Sequence, residues 1–247
     1  MIKLKKNKSK NLIKIIVTCV FTFFSVSFLF SQNTKVTYRV TINEYSNYSS
    51  TATDDLFKAS EFAANFTTFH LIYNNNEMFF FAKKMENLSD EEFENLLLIC
   101  DINGSYYRQT KNDFLYRIVA EKNLIKNLTC KSKVITNWKL SSEKKIILGY
   151  ECERADSMVY IDYGNGESNG TYKITAWYCK DFKSIFGPKG FGNLNGLILE
   201  LNQNLVTYTA TNIEESFEEF PFKMTPDLKI IDEKDFFIYF QKLRNKD

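Results

Sequence analysis

The chain holds a single histidine, His70, among 247 residues. Any site built on two imidazoles is thereby excluded, the H-E-x-x-H zinc proteases among them. Proline and glycine are scarce, at 3 and 9 residues, which rules out collagen-like repeats and Gly/Ser-linker architecture. No two cysteines stand in a C-x-x-C pair, so the sequence supports neither a zinc knuckle nor a thioredoxin-type motif. No segment repeats, no linker is long enough to divide domains, and no catalytic constellation emerges.

Core material, in contrast, is plentiful. Apolar residues make up 44% of the chain and aromatics 16%, with 23 Phe and 14 Tyr. Charged residues at 25% are ordinary for a folded protein.

The first residues read as an address. Lys3, Lys5, Lys6, Lys8, Lys10 and Lys14 precede an uncharged run, Ile15–Phe30, that ends at the small residue Ser31. A basic region, an apolar stretch and a small residue form a secretory signal peptide, expected to span residues 1–31. A membrane anchor needs roughly 20 apolar residues; this run is shorter and is diluted by Thr18, Thr22, Ser25 and Ser27. Cys19 lies mid-run and not at its end, so lipidation there is not expected. Residues 32–247 are then one β-rich domain with no transmembrane segment after cleavage.

Cleavage also reverses the charge argument. The whole chain carries 32 basic and 30 acidic residues, and the leader removes six lysines and no acids, leaving a net charge of −4. Nucleic acid is not an expected partner. The abundance of asparagine, 24 in the whole chain, accounts for the six N-x-S/T sequons beyond the leader without glycosylation.

Four cysteines remain: Cys100, Cys130, Cys152 and Cys179. An even count in an oxidising compartment favours disulfides, and four cysteines allow three pairings that sequence does not separate.

Thr34–Ile42 alternates, with Val36, Tyr38, Val40 and Ile42 on one side, as a half-buried strand requires. Asp54–Asn65 reads as a short helix. Phe66–Tyr73 and Glu77–Lys84 read as a hairpin turning at Asn74–Asn76. Ser89 and Glu92 have capping-box spacing for a helical turn through Leu97. Further strands are expected at Phe114–Ala120, Val134–Lys139, Lys145–Glu151, Met158–Tyr163, Tyr172–Tyr178, Leu197–Asn202 and Leu205–Asn212. Glu233–Leu243 places Phe236, Tyr239, Phe240 and Leu243 on one helical stripe. The expected fold is mainly β: one curved antiparallel sheet or incomplete barrel with a few short helices, including the amphipathic C-terminal one.

One stretch is more specific. Trp138 opens W-K-L-S-S-E-K-K-I-I-L-G-Y-E-C-E-R-A, which includes Gly149, Tyr150, Cys152 and Ala155. Ala176-Trp177-Tyr178 follows, then Gly187-Pro188, then N-L-N-G-L-I-L-E-L with Leu194, Gly196, Leu197 and Ile198. In this order the elements resemble the GLPGLI family of exported Bacteroidetes proteins. Asn193 and Asn195 replace the first glycine and the proline of that motif, and the connection Tyr163–Thr171 is longer than usual. The resemblance implies an exported, β-rich envelope protein whose molecular function is not established. Read physically, the same segment is a loop that tightens at Gly187-Pro188 and feeds an apolar strand, which reads as a structural clasp, with a ligand- or partner-contacting loop as the alternative.

Candidate sites are few. His70 reads as a hydrogen-bonded strand residue. Asp162, Asn165, Glu167 and Asn169 offer oxygens, but at a spacing that fits no EF-hand, and read as a solvated hairpin tip. Glu214, Glu215, Glu218 and Glu219 read as a solvated helix face or loop. Trp138 and Trp177 read first as core-filling rings with hydrogen-bonded N–H groups; with Tyr178 they are the ligand-wall candidates if a concave sheet face holds an apolar molecule. The sequence thus points to a non-enzymatic exported protein, periplasmic or outer-membrane-associated, with no cofactor or metal. It would bind an apolar small molecule or lipid, or a protein partner. The alternative is a structural or accessory outer-membrane protein acting through its surface. A hydrolase using Glu143, Glu151 or Cys152 is the least supported reading.

Overall fold

The computed structural model describes residues 33–43, 51–119, 128–134, 137–162 and 168–244. The expected leader and residues 163–167 of the Gly-rich tip, which include Asn165 and Glu167, lie outside these.

Among the described residues the first half of the chain runs β1 (Asn33–Ile42), α1 (Thr51–Asn65), β2 (Thr67–Tyr73), β3 (Glu77–Lys84), α2 (Asp90–Ile99), β4 (Gly104–Gln109), β5 (Phe114–Val119) and β6 (Leu128–Lys133). The second half runs β7 (Lys139–Ile147), β8 (Tyr150–Asp162), β9 (Ser168–Cys179), β10 (Leu197–Gln203), β11 (Val206–Ser216), β12 (Lys229–Asp232) and α3 (Glu233–Arg244). All twelve strands form one open sheet in the order β12-β6-β5-β4-β3-β2-β1-β11-β10-β9-β8-β7. Two antiparallel meanders, β1 to β6 and β7 to β11, are therefore joined side by side at β1 and β11. The expected mainly-β single sheet is what forms. The one parallel pair is β12 on β6.

Local chemistry explains the elements. In β1, Val36, Tyr38, Val40 and Ile42 are buried while Arg39 and Thr41 are exposed, the alternation read from sequence. The turn between β2 and β3 is held by Asn74, whose side-chain oxygen accepts from the backbone N–H groups of Asn76 and Glu77. Helix α2 begins with a complete capping box: Ser89 Oγ accepts from the Glu92 N–H, and the Glu92 carboxylate accepts from the Ser89 N–H.

Three expectations fail. Lys145–Glu151 is not one strand, because Leu148 and Gly149 take φ of 52° and 85° and reverse the chain between β7 and β8. Positive φ at both central residues defines a type I′-like hairpin turn, whose twist matches that of the flanking strands. Of the described residues in Val134–Lys139 only Lys139 lies in a strand: β6 ends at Lys133 and β7 starts at Lys139. Glu214 and Glu215 lie on β11 and not on a helix or loop, and Glu214 pairs with Lys35 at 3.1 Å.

The core occupies the inner face. Tyr38, Phe69, Phe80, Tyr106 and Tyr208 pack ring on ring at centroid distances of 5.4–6.4 Å. Two of them satisfy their hydroxyls inside, Tyr38 on the Ile198 carbonyl (2.7 Å) and Tyr208 on that of Cys100 (3.2 Å). The loop from β9 to β10 crosses this face: Lys189 donates to the Cys100 carbonyl at 3.0 Å, and Arg108 of β4 donates to Asn193. Strand β4 stands five places from β10 in the sheet, so the sheet curls enough for that loop to reach across. Behind β3 and β4, the segment after β11 lays Phe222 on Phe79 and Tyr107, at 5.5 and 4.8 Å.

Candidate functional site

Trp177 and Tyr178 are consecutive on β9, so they point to opposite faces of the sheet. Trp177 lies on the outer face opposite Arg154 and Glu200, with Lys145 Nζ 5.7 Å from its ring centroid. Tyr178 is 2% exposed and its hydroxyl donates to Glu153 Oε2 at 3.0 Å. Trp138 precedes β7 and its indole N–H donates to the Gly192 carbonyl at 2.7 Å. The three rings do not form one wall: Tyr178 belongs to the core, Trp138 and Trp177 pack against it, and the inner face is filled by core side chains.

The segment around Gly187-Pro188 and Gly196 is a buried clasp. Asn193 N–H donates to the Ile185 carbonyl, and Ile198 N–H donates to that of Phe186. Asn193, at the position of the motif's first glycine, takes φ 64°, the left-handed conformation that asparagine tolerates well. Gly196 has φ 153°, and a Cβ there would stand 2.3 Å from the Cys179 carbonyl oxygen. Leu194, Leu197 and Ile198 are all buried beside it.

Two buried cations escaped the sequence reading. Arg108 is 1% exposed and borders the clasp, with the Phe186 ring 5.8 Å away. Lys189 is 5% exposed, and its burial lowers its pKa, opposed by Asp101 at 3.3 Å. Nothing in their sequence neighbourhoods marks them as interior, since the loop that buries them is fixed only by tertiary packing.

The titratable candidates are held structurally. His70 has Thr37 Oγ1 at 3.3 Å and Thr68 Oγ1 at 3.0 Å on its two ring nitrogens, and burial lowers its pKa. Glu143 is clamped by Arg154 at 2.8 Å, and Glu151 pairs with Lys144 at 2.6 Å. Cys100, Cys130, Cys152 and Cys179 are buried, and none is bridged. Burial pushes the thiols of Cys100 and Cys152 up to about 12, the opposite of an activated nucleophile.

What the sheet leaves open is its β7 edge. The other edge is short and guarded: β12 leads directly into α3, whose Phe236 is 2% exposed against Leu128 and Cys130. Strand β7 pairs only with β8, leaving its far side without a strand among the described residues. Leu140 lies opposite Ala155, which is fully buried, yet is itself 63% exposed. Ile146 is also 63% exposed, and Leu148, Tyr150 and Met158 continue the apolar exposure at the hairpin and on β8. Charged pairs frame this strip: Lys144 with Glu151, Arg154 with Glu143 and Asp156, Lys180 with Glu153. Burial opposes ionisation of Asp156, but hydrogen bonds from Thr175, Lys173 and Arg154 win and hold its carboxyl below the usual range. At the start of β7 an open cleft of about 430 Å³ is lined by Asn137, Lys139, Asp156, Ser157, Met158 and Lys173. Long edges present unpaired backbone donors and acceptors, and proteins commonly blunt them with lysines such as those flanking these apolar side chains.

No family model matches the chain, and no curated protein matches it significantly. Among solved structures, that of PNGF-II is similar. Its TM-score is 0.54 at 17% identity, over 86% of this chain and 33% of that one. The likeness is one of fold. The present chain thus spans about a third of the length of PNGF-II. No helix among the described residues is long and apolar enough to cross a membrane.

Proposed function

We propose that the protein is an exported, non-enzymatic binding module of the cell envelope that receives an extended segment of a partner protein along β7. The observation carrying this reading is the exposure of Leu140 and Ile146 on an unpaired strand beside a closed core. An added strand satisfies the free backbone groups of the edge and covers the side chains that continue the core face outward. Leu148 supports the same reading. A leucine held at φ 52° in a turn that favours Asn is a local cost, and its exposed side chain is what that cost retains. The basic leader and the resemblance to exported proteins support an envelope location. The filled inner face favours a protein partner over an apolar small molecule, because a ligand there would have to displace core rings.

The test is a photoreactive residue placed at Ile146 in the native host, with Arg39 on the outer face of β1 as the control position. One dominant protein adduct at Ile146, absent at Arg39 and lost in the Leu140→Lys/Ile146→Lys variant, is the expected result. Equal labelling at both positions would remove the edge from consideration. Native mass spectrometry showing a tightly held small molecule would restore the ligand reading.

A further inference from the structure

We infer that Cys152 and Cys179 are a cross-strand redox pair that closes a disulfide between β8 and β9, leaving Cys100 and Cys130 as thiols. The ladder between these strands sets Arg154 opposite Trp177 and Glu153 opposite Tyr178. One further step places Cys152 directly opposite Cys179. Directly opposed residues of an antiparallel pair have Cα atoms about 4.5–5.5 Å apart, inside the range of about 4.4–6.8 Å that a disulfide spans. The two thiols act electrostatically on one another, and Cys152 Sγ donates to the Tyr150 carbonyl at 3.7 Å. Both are fully buried, flanked by Lys145 opposite Cys152 on β7 and Leu197 opposite Cys179 on β10.

The other two cysteines have different surroundings. Cys100 ends α2 beside Tyr208 and Lys189. Cys130 sits on β6, next to Arg117 and within the small cluster around Phe236. Of the three possible pairings only the one containing Cys152–Cys179 places a pair on facing ladder positions, and it yields one bridge, not two.

The chemistry is thiol–disulfide exchange with an external disulfide, either an oxidoreductase or an oxidised low-molecular-weight thiol. The thiolate of one cysteine attacks the oxidant's disulfide and forms a mixed disulfide, releasing one oxidant thiol. The second thiolate attacks that protein sulfur, the Cys152–Cys179 bond forms, and the other oxidant thiol leaves. Two electrons pass to the oxidant, and the two protein thiol protons end on the two oxidant thiols. Burial raises both thiol pKa values in the folded sheet, so thiolate is scarce there and the bond is made while the strands are still forming.

The test refolds the denatured, reduced full chain in a glutathione redox buffer, blocks free thiols with iodoacetamide in denaturant, and digests without reductant. The expected map contains one linked pair joining the Cys152 and Cys179 peptides, with Cys100 and Cys130 alkylated and the intact mass lower by two hydrogens before blocking. The oxidised protein should melt about 5–10 °C above the reduced one. Cys100→Ser and Cys130→Ser should keep that increment, and Cys152→Ser/Cys179→Ser should lose it. Alkylation of both Cys152 and Cys179, or a link between any other two cysteines, would overturn the inference. The wild-type peptide map decides the matter even if the double variant fails to fold.

Discussion

Trp138 and Gly192, 54 residues apart in the chain, are joined by an indole N–H donated to a backbone carbonyl at 2.7 Å. The bond fastens the chain leading into the open edge strand to the clasp that crosses the core. Trp138→Phe keeps most of the ring but leaves the Gly192 carbonyl without this donor. A loss of about 1–3 kcal/mol is expected, read as a lower urea midpoint at unchanged slope. An unchanged midpoint would mean that the bond contributes nothing.

Leu148 occupies a left-handed turn position that costs an ordinary residue about 1–2 kcal/mol. Leu148→Asn therefore raises stability by about 1 kcal/mol while weakening the proposed edge contact. A stability loss of similar size would show instead that the leucine side chain is needed by the fold itself.

Gly149 and Gly196 both have positive φ, yet they should respond differently to alanine. A Cβ at Gly149 meets nothing within 4 Å, whereas one at Gly196 collides with the Cys179 carbonyl at 2.3 Å. Gly149→Ala should cost about 1 kcal/mol, and Gly196→Ala more than about 3 kcal/mol or the fold altogether. Comparable midpoints for the two variants would contradict the close packing at Gly196.

Alkaline pH should unfold the reduced protein. The folded-state pKa of Cys100 and Cys152 is raised by burial from 9.0 to about 12. Their contribution is therefore complete below pH 9 and is lost as pH rises through the folded value. Each such thiol removes about 1.4 kcal/mol per pH unit within that window. The oxidised protein, in which Cys152 and Cys179 no longer titrate, should show a shallower decline. Identical slopes for the two forms would argue against the bridge.

Wherever side chains alternate or a local hydrogen bond fixes the turn, the sequence was legible. β1 follows from its period of two, the β2–β3 hairpin from Asn74, and α2 from Ser89 and Glu92. The strands β4, β6 and β12 were missed. Gly104–Gln109 opens on glycine and buries Arg108, and Lys229–Asp232 is only four residues long. Neither carries its own apolar pattern, and both owe their conformation to neighbouring strands. The hairpin between β7 and β8 was hidden because Ile146-Ile147-Leu148 reads as one continuous apolar run. That single misreading also concealed the candidate edge, since the exposure of Leu140 and Ile146 depends on which strand ends the sheet. Trp177 and Tyr178 could be assigned to opposite faces from their adjacency alone, but which face was interior could not.

The seam between β1 and β11 also governs when the molecule can acquire its structure. The first strand of the sheet finds one of its two neighbours only in the eleventh, with Asn33 set against Ser216. During synthesis, the leading meander emerges with one flank of β1 unmatched, and it stays so until β11 has followed. A topology dominated by such distant pairings folds slowly, on a scale of about milliseconds to seconds. The nascent polypeptide therefore spends that interval with pairing surfaces exposed, the state in which strand edges are most prone to aggregate.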